Sequence, residues 1–80
     1  MTNKNIPNTL KIHRKKAKLT QEQVALKLGF TSKDRICKWE KGKTYPHVVN
    51  LFKLADLYMV LPNELYPNLS KFSIDLMDEN

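Results

Sequence analysis

Apolar residues recur along this chain at helical intervals, and glycines and prolines cut the recurrence into short pieces. Leu10, Arg14 and Ala17 stand at i, i+4 and i+7, the spacing that places side chains on one helix face. A first helix is therefore predicted after Pro7 and Asn8, through Ile12 and the basic run that closes at Lys18. Thr20 with Gln23 three residues on has the form of a capping box, in which hydroxyl and amide satisfy N–H groups left unpartnered at a helix start. Val24, Ala25 and Leu28 then share a face until Gly29 ends the turn, which gives a second helix of about eight residues.

Ser32 reads as the N-cap of a third helix running roughly from Lys33 to Lys41, with Ile36, Trp39 and Glu40 on one side and Gly42 as the stop. Pro46 and His47 open a fourth, along which Val48, Leu51, Leu54, Ala55 and Tyr58 form an apolar stripe. Pro62 suits a first helical position and starts a short fifth helix, Pro62 to Tyr66, which Pro67 ends. No strand-type alternation appears before residue 70. In the tail Phe72, Ile74 and Leu76 alternate with Ser73 and Asp75 as a strand would, while Leu69, Phe72 and Leu76 equally suit a helix.

Eighty residues make one small domain, too short for a doubly wound sheet or a barrel with a cofactor crevice, and most enzyme folds are excluded on that ground. Small domains bury proportionally little surface and draw on disulfides, metals or a second subunit. Cys37 is alone, and with only His13 and His47 beside it a zinc site lacks ligands. No metal or cofactor is expected, and a partner subunit is the remaining source of stability. No stretch reaches the length of a bilayer span and the start has no apolar leader core, so a cytoplasmic location is expected and no membrane partner.

Charge sharpens the picture. The chain carries a formal +6, and between Lys11 and Lys43 eleven basic residues face three acidic ones, Glu22, Asp34 and Glu40. Such a segment on a small domain argues for a polyanion such as nucleic acid. Stepping 100° per residue from Ile36, residues Asp34, Lys38 and Lys41 point away from the core side of the third helix. A helix seated on its neighbours by one face, with polar groups on the other, fits the helix-turn-helix arrangement that enters a major groove.

The residues LTQEQVALKLGFTSKDRICKWEKGKTYP, followed by VVNLFKLADLYMVLPNELY, resemble the Cro and phage-repressor (XRE-type) helix-turn-helix family over about Leu10 to Tyr66. The resemblance implies an all-α, compact five-helix, lambda-repressor-like DNA-binding domain over residues 1–66. Residues 67–80 are then a C-terminal tail whose Leu69, Phe72, Ile74 and Leu76 are candidates for a dimer surface. It also implies a homodimer that binds double-stranded operator DNA, reads an inverted repeat through the third helix, and represses or activates transcription.

Carried over by position, Lys33, Asp34 and Lys38 match the family's base-reading sites. Gln21 falls where the family contacts a phosphate at the start of the second helix, a place whose free N–H groups and dipole favour an anion. Ser32, Lys41, Lys43 and Thr44 are the further phosphate candidates, and Arg14 and Glu40 match an inter-helix ion pair beneath the recognition helix. The chain departs from the pattern in three places. Six residues rather than the usual five separate Gly29 from Ile36, which bears on Ser32 and Lys33 more than on Lys38; Lys18 stands where the family often has glycine; and Cys37 lies between contact positions.

Plainer roles compete with several of these. Asp34 also serves as a first-turn anion paired with Lys38 at i, i+4, and Gln21 as an exposed helix-start residue. Trp39 belongs to the core, Cys37 reads as an inert small residue, His13 and His47 as surface residues, and Leu26 as a lone exposed apolar side chain. Other functions on the same fold are the antitoxin of a toxin–antitoxin pair, the controller of a restriction–modification system, or an interaction module without DNA binding. An interaction module calls for a third helix with acidic or bulky apolar groups facing out, and KDRICKWEK does not fit that description. An enzyme is not expected, since no nucleophile–base pair, clustered carboxylates or phosphate-cradling glycine loop is present.

Overall fold

Residues 5–68 are described by the computed structural model. They form five helices: α1 (Leu10–Lys16), α2 (Gln21–Leu28), α3 (Asp34–Glu40), α4 (Val48–Tyr58) and α5 (Pro62–Leu65). No strand is found among the described residues, nor any helix long and apolar enough to cross a membrane. The tail residues Leu69, Phe72, Ile74 and Leu76 lie outside the described residues, so the dimer-surface expectation attached to them stays an expectation.

One core gathers the apolar stripes. Leu10 of α1, Val24, Ala25 and Leu28 of α2, Ile36 and Trp39 of α3, Leu54, Ala55 and Tyr58 of α4, and Leu65 with Tyr66 at the end of α5 are all buried against one another. Burial of this kind is what holds such short helices in place, since helices of seven or eight residues are not stable alone in water. Leu26, on the opposite side of α2 from Val24, is 74% exposed.

The first four helices close in the same way. After each, one residue takes a left-handed conformation: Lys18 (φ 62°), Gly29 (φ 88°), Gly42 (φ 77°) and Met59 (φ 60°). The next N–H then reaches back five residues, Leu19 to the carbonyl of Arg14, Phe30 to Ala25, Lys43 to Lys38 and Val60 to Ala55, at 2.8–3.2 Å. This is the Schellman closure, which satisfies carbonyls that a helix end leaves without partners. Two of the four use glycine as the sequence signals. The other two force a side-chain-bearing residue into a conformation that costs L-residues energy.

The structure corrects several expectations. The third helix is shorter by a residue at each end, and Lys33 rather than Ser32 occupies its N-cap position. The Ser32 hydroxyl accepts the Asp34 N–H at 3.4 Å instead, because the longer turn sets it one residue too early. The fifth helix ends at Leu65, with Tyr66 following it as a cap residue. Val48 is 54% exposed: it lies at the edge of the α4 stripe and at the helix's N-terminal end, where no described element covers it. His13 is half-buried, not a surface residue, and lines a cleft with Ala17, Leu19, Leu57 and Tyr58. His47 is exposed.

Candidate nucleic-acid interface

The start of α2 is set by its capping box: the Thr20 hydroxyl accepts the Gln23 N–H at 3.1 Å and the Gln23 side-chain oxygen accepts the Thr20 N–H at 2.8 Å. Gly29 then turns the chain. The turn residue Phe30 packs edge-on to Trp39, ring centroids 5.9 Å apart, and the Arg35 guanidinium lies 4.7 Å over the Phe30 ring. The longer turn is thus held by aromatic packing onto the helix it leads into, with a cation over the Phe30 ring.

Beneath α3, Arg14 and Glu40 form the expected pair. Arg14 donates from Nε at 2.6 Å and from Nη2 at 3.2 Å to the Glu40 carboxylate, and from Nη1 at 2.9 Å to the Leu19 carbonyl. The two side chains are 10% and 4% exposed, so α1 and α3 are joined by a bidentate pair largely out of water. Hydrogen bonding to Glu40 raises the Arg14 pKa above its already high ordinary value, against the opposing effect of burial. Gln21 Nε2 donates to the same carboxylate at 2.9 Å, which brings the start of α2 into the network.

Ile36 and Trp39 seat α3 on the core, and Asp34, Lys38 and Lys41 stand exposed on its opposite side, about 10 Å from first to last along the axis at 1.5 Å per residue. Lys43 and Thr44 follow, exposed, in the turn after Gly42. Lys33 approaches Glu22 at 3.5 Å across the helix-turn-helix, both side chains about half in solvent or more. The Glu22 carboxylate is held below its usual range by its own backbone N–H at the helix start and by Lys33. The ion pairs among the described residues are Arg14–Glu40 and Lys33–Glu22, so the pairing of Asp34 with Lys38 is not formed. An exposed lysine gains too little from such a pair to hold its long side chain in one geometry.

A helix-turn-helix family model matches residues 10–65. The chain belongs to the Cro/C1-type helix-turn-helix family, the XRE family. No curated protein and no solved structure matches it. XRE-type chains are DNA-binding regulators, and the matched span contains all five helices, from the first residue of α1 to the last of α5.

Within this XRE domain the structure gathers Asp34, Lys38 and Lys41 on one face of α3, with Lys43 and Thr44 beyond its end. Lys33 is drawn toward α2, and Gln21 turns its amide inward to Glu40, so that neither an exposed helix-start role nor a free outward amide describes it. Sequence reasoning missed Arg35, whose stacking on Phe30 was signalled by the aromatic in the lengthened turn. It also missed Asn8, whose side-chain amide donates to the carbonyls of Trp39 and Glu40 at 3.2 and 3.4 Å. Nothing local to Asn8 signals a bond that crosses more than thirty residues.

Proposed function

We propose that this XRE domain is a sequence-specific transcriptional regulator that binds an inverted-repeat operator as a homodimer and reads it through α3. Asp34 and Lys38 read base edges, with Lys33 at the margin of the reading face, while Ser32, Lys41, Lys43 and Thr44 hold phosphates together with Gln21, whose amide is engaged by Glu40 and which acts through its backbone N–H at the start of α2. Lysine donates to the O6 and N7 acceptors of guanine and a carboxylate accepts from the amine of cytosine, so these side chains select bases. The phosphate set supplies affinity without sequence information.

The observation that carries the reading is the row Asp34, Lys38, Lys41, exposed opposite a helix face fixed by Ile36, Trp39 and the Arg14–Glu40 pair. A rigid seat beneath and short-range polar groups above are what base readout needs. Lys33 leaves its exposed pair with Glu22 at little cost to reach DNA. In a two-fold dimer the two α3 helices enter successive major grooves, with half-site centres about 34–36 Å apart.

Binding-site selection on three variants tests the assignment. Lys38→Ala should lower affinity for the preferred site by roughly 1–3 kcal/mol and relax the choice at one base pair. Lys43→Ala should weaken specific and random duplexes alike and reduce the salt slope by about one unit. Asp34→Asn should move one preference toward adenine. Unchanged base preference in Lys38→Ala would mean that α3 is not the reading element, and a flat salt titration of the parent protein would remove DNA as the partner.

A further inference from the structure

The segment Asn5–Thr9 is a strap between the end of α5 and the turn that leaves α3. At one end the Thr9 N–H donates to the Leu65 carbonyl at 3.0 Å and the Thr9 hydroxyl to the Glu64 carbonyl at 2.7 Å. At the other, the Ile6 N–H donates to the Gly42 carbonyl at 2.8 Å. Asn8 joins the parts. Its Oδ1 accepts the Leu10 N–H at 3.0 Å, an Asx turn leading into α1, whose N-cap residue is Thr9, and its Nδ2 faces the carbonyls of Ile6, Trp39 and Glu40 at 3.0, 3.2 and 3.4 Å.

The contact at Gly42 is close enough to exclude a side chain. A Cβ there would lie 2.5 Å from the Ile6 carbonyl oxygen and 2.7 Å from its nitrogen, so the glycine serves both the left-handed closure of α3 and the seat of the strap. The carbonyls of Trp39 and Glu40 belong to the last turn of α3, beyond the reach of the regular helix ladder; that of Trp39 also accepts the Gly42 N–H at 3.0 Å, so the Asn8 amide joins a closure already begun there. One asparagine amide therefore ties down the end of α3 and, through Ile6, the turn that leaves it.

We propose that Asn8 is a positioning residue for DNA binding: it fixes the exit of α3 so that Lys43 and Thr44 are presented in one geometry to the duplex backbone. This rests on the phosphate assignments of those two residues given above. A turn that is ordered before binding does not lose that freedom on binding, and an untethered one does. Asn8 touches no DNA in this account and acts through the turn.

Asn8→Ser isolates the effect, since serine retains an oxygen for the Leu10 N–H and is too short to span to the carbonyls of α3. On a labelled random-sequence duplex, at a temperature where circular dichroism shows every variant folded, Asn8→Ser should weaken binding roughly two- to tenfold. Base preference in a selection should not change. In a Lys43→Ala background the same substitution should cost clearly less, because the residue it positions is gone. Thr9→Val removes the side-chain half of the strap's anchor at α5, the hydroxyl bond to Glu64, away from the turn, and should leave affinity near that of the parent protein.

Equal binding by Asn8→Ser and the parent would overturn the inference while leaving the DNA-binding reading intact. So would a loss of the same size with and without Lys43, or an equal loss in Thr9→Val, since each would show that general loosening and not the turn is responsible. Failure of the parent protein to bind any duplex would overturn both.

Discussion

Replacing Arg14 with methionine removes three donor bonds at once: two to the Glu40 carboxylate and one to the carbonyl of Leu19, the residue whose N–H closes the end of α1. Methionine fills similar space, so the packing loss is small and the change is mainly electrostatic. Glu40 is left with its side chain 4% exposed and only Gln21 donating to it. Removing one partner of a buried pair costs about 3–5 kcal/mol, because the remaining charge is uncompensated, whereas an exposed pair contributes under about 1. A chain of 80 residues has a total stability of about 4–12 kcal/mol at the usual range per residue, so the loss is a large fraction of it. At about 4–8 °C per kcal/mol for a domain this size, Arg14→Met should melt at least about 12 °C below the parent.

Thermal and urea unfolding followed by circular dichroism measure this, with Lys15→Met on the exposed side of α1 as the control for loss of one cation. A double variant, Arg14→Met with Glu40→Leu, takes away both charges together and should recover much of the loss. Equal midpoints for Arg14→Met and Lys15→Met would refute the reasoning, as would a double variant no better than the single, since the penalty is attributed to the stranded carboxylate.

Lys18→Gly and Met59→Gly should each raise stability by about 1 kcal/mol, read as a higher melting temperature, because both residues now sit at φ near 60°, a conformation costly to L-residues and open to glycine. Burial of the Tyr66 hydroxyl, with a smaller contribution from Tyr45, pushes its pKa up to about 12 from 10.0. The folded state therefore keeps this proton where the unfolded chain has lost it, so folding becomes less favourable as the pH rises from 10 toward 12 and is unaffected by this group below pH 10. Tyr66→Phe should flatten alkaline unfolding over that window and change little at neutral pH, since the hydroxyl has no hydrogen-bond partner among the described residues; an unaltered alkaline midpoint would contradict this.

What sequence alone determined about this protein is what local spacing encodes. Val24, Ala25 and Leu28 mark a helix face, Thr20 with Gln23 marks its start and Gly29 its end, because capping and left-handed closure involve residues within a few positions of one another. The XRE pattern extended that reach to the Arg14–Glu40 pair and to the outward row on α3. Periodicity orients a side chain about its own helix axis, however, and does not say whether another element lies there to cover it. Val48 follows the stripe of α4 and stays exposed, while His13 breaks no pattern and is half-buried in a cleft. Lys18 and Met59 close helices with the wrong residue type for the job, since the returning N–H and the packing of the next helix impose the conformation. Gln21 on Glu40, Phe30 against Trp39 and Arg35, and above all Asn8 on the end of α3 were decided by tertiary structure alone. Each joins groups far apart in the chain, and a donor's choice among distant carbonyls depends on which of them the packed core brings within about 3 Å.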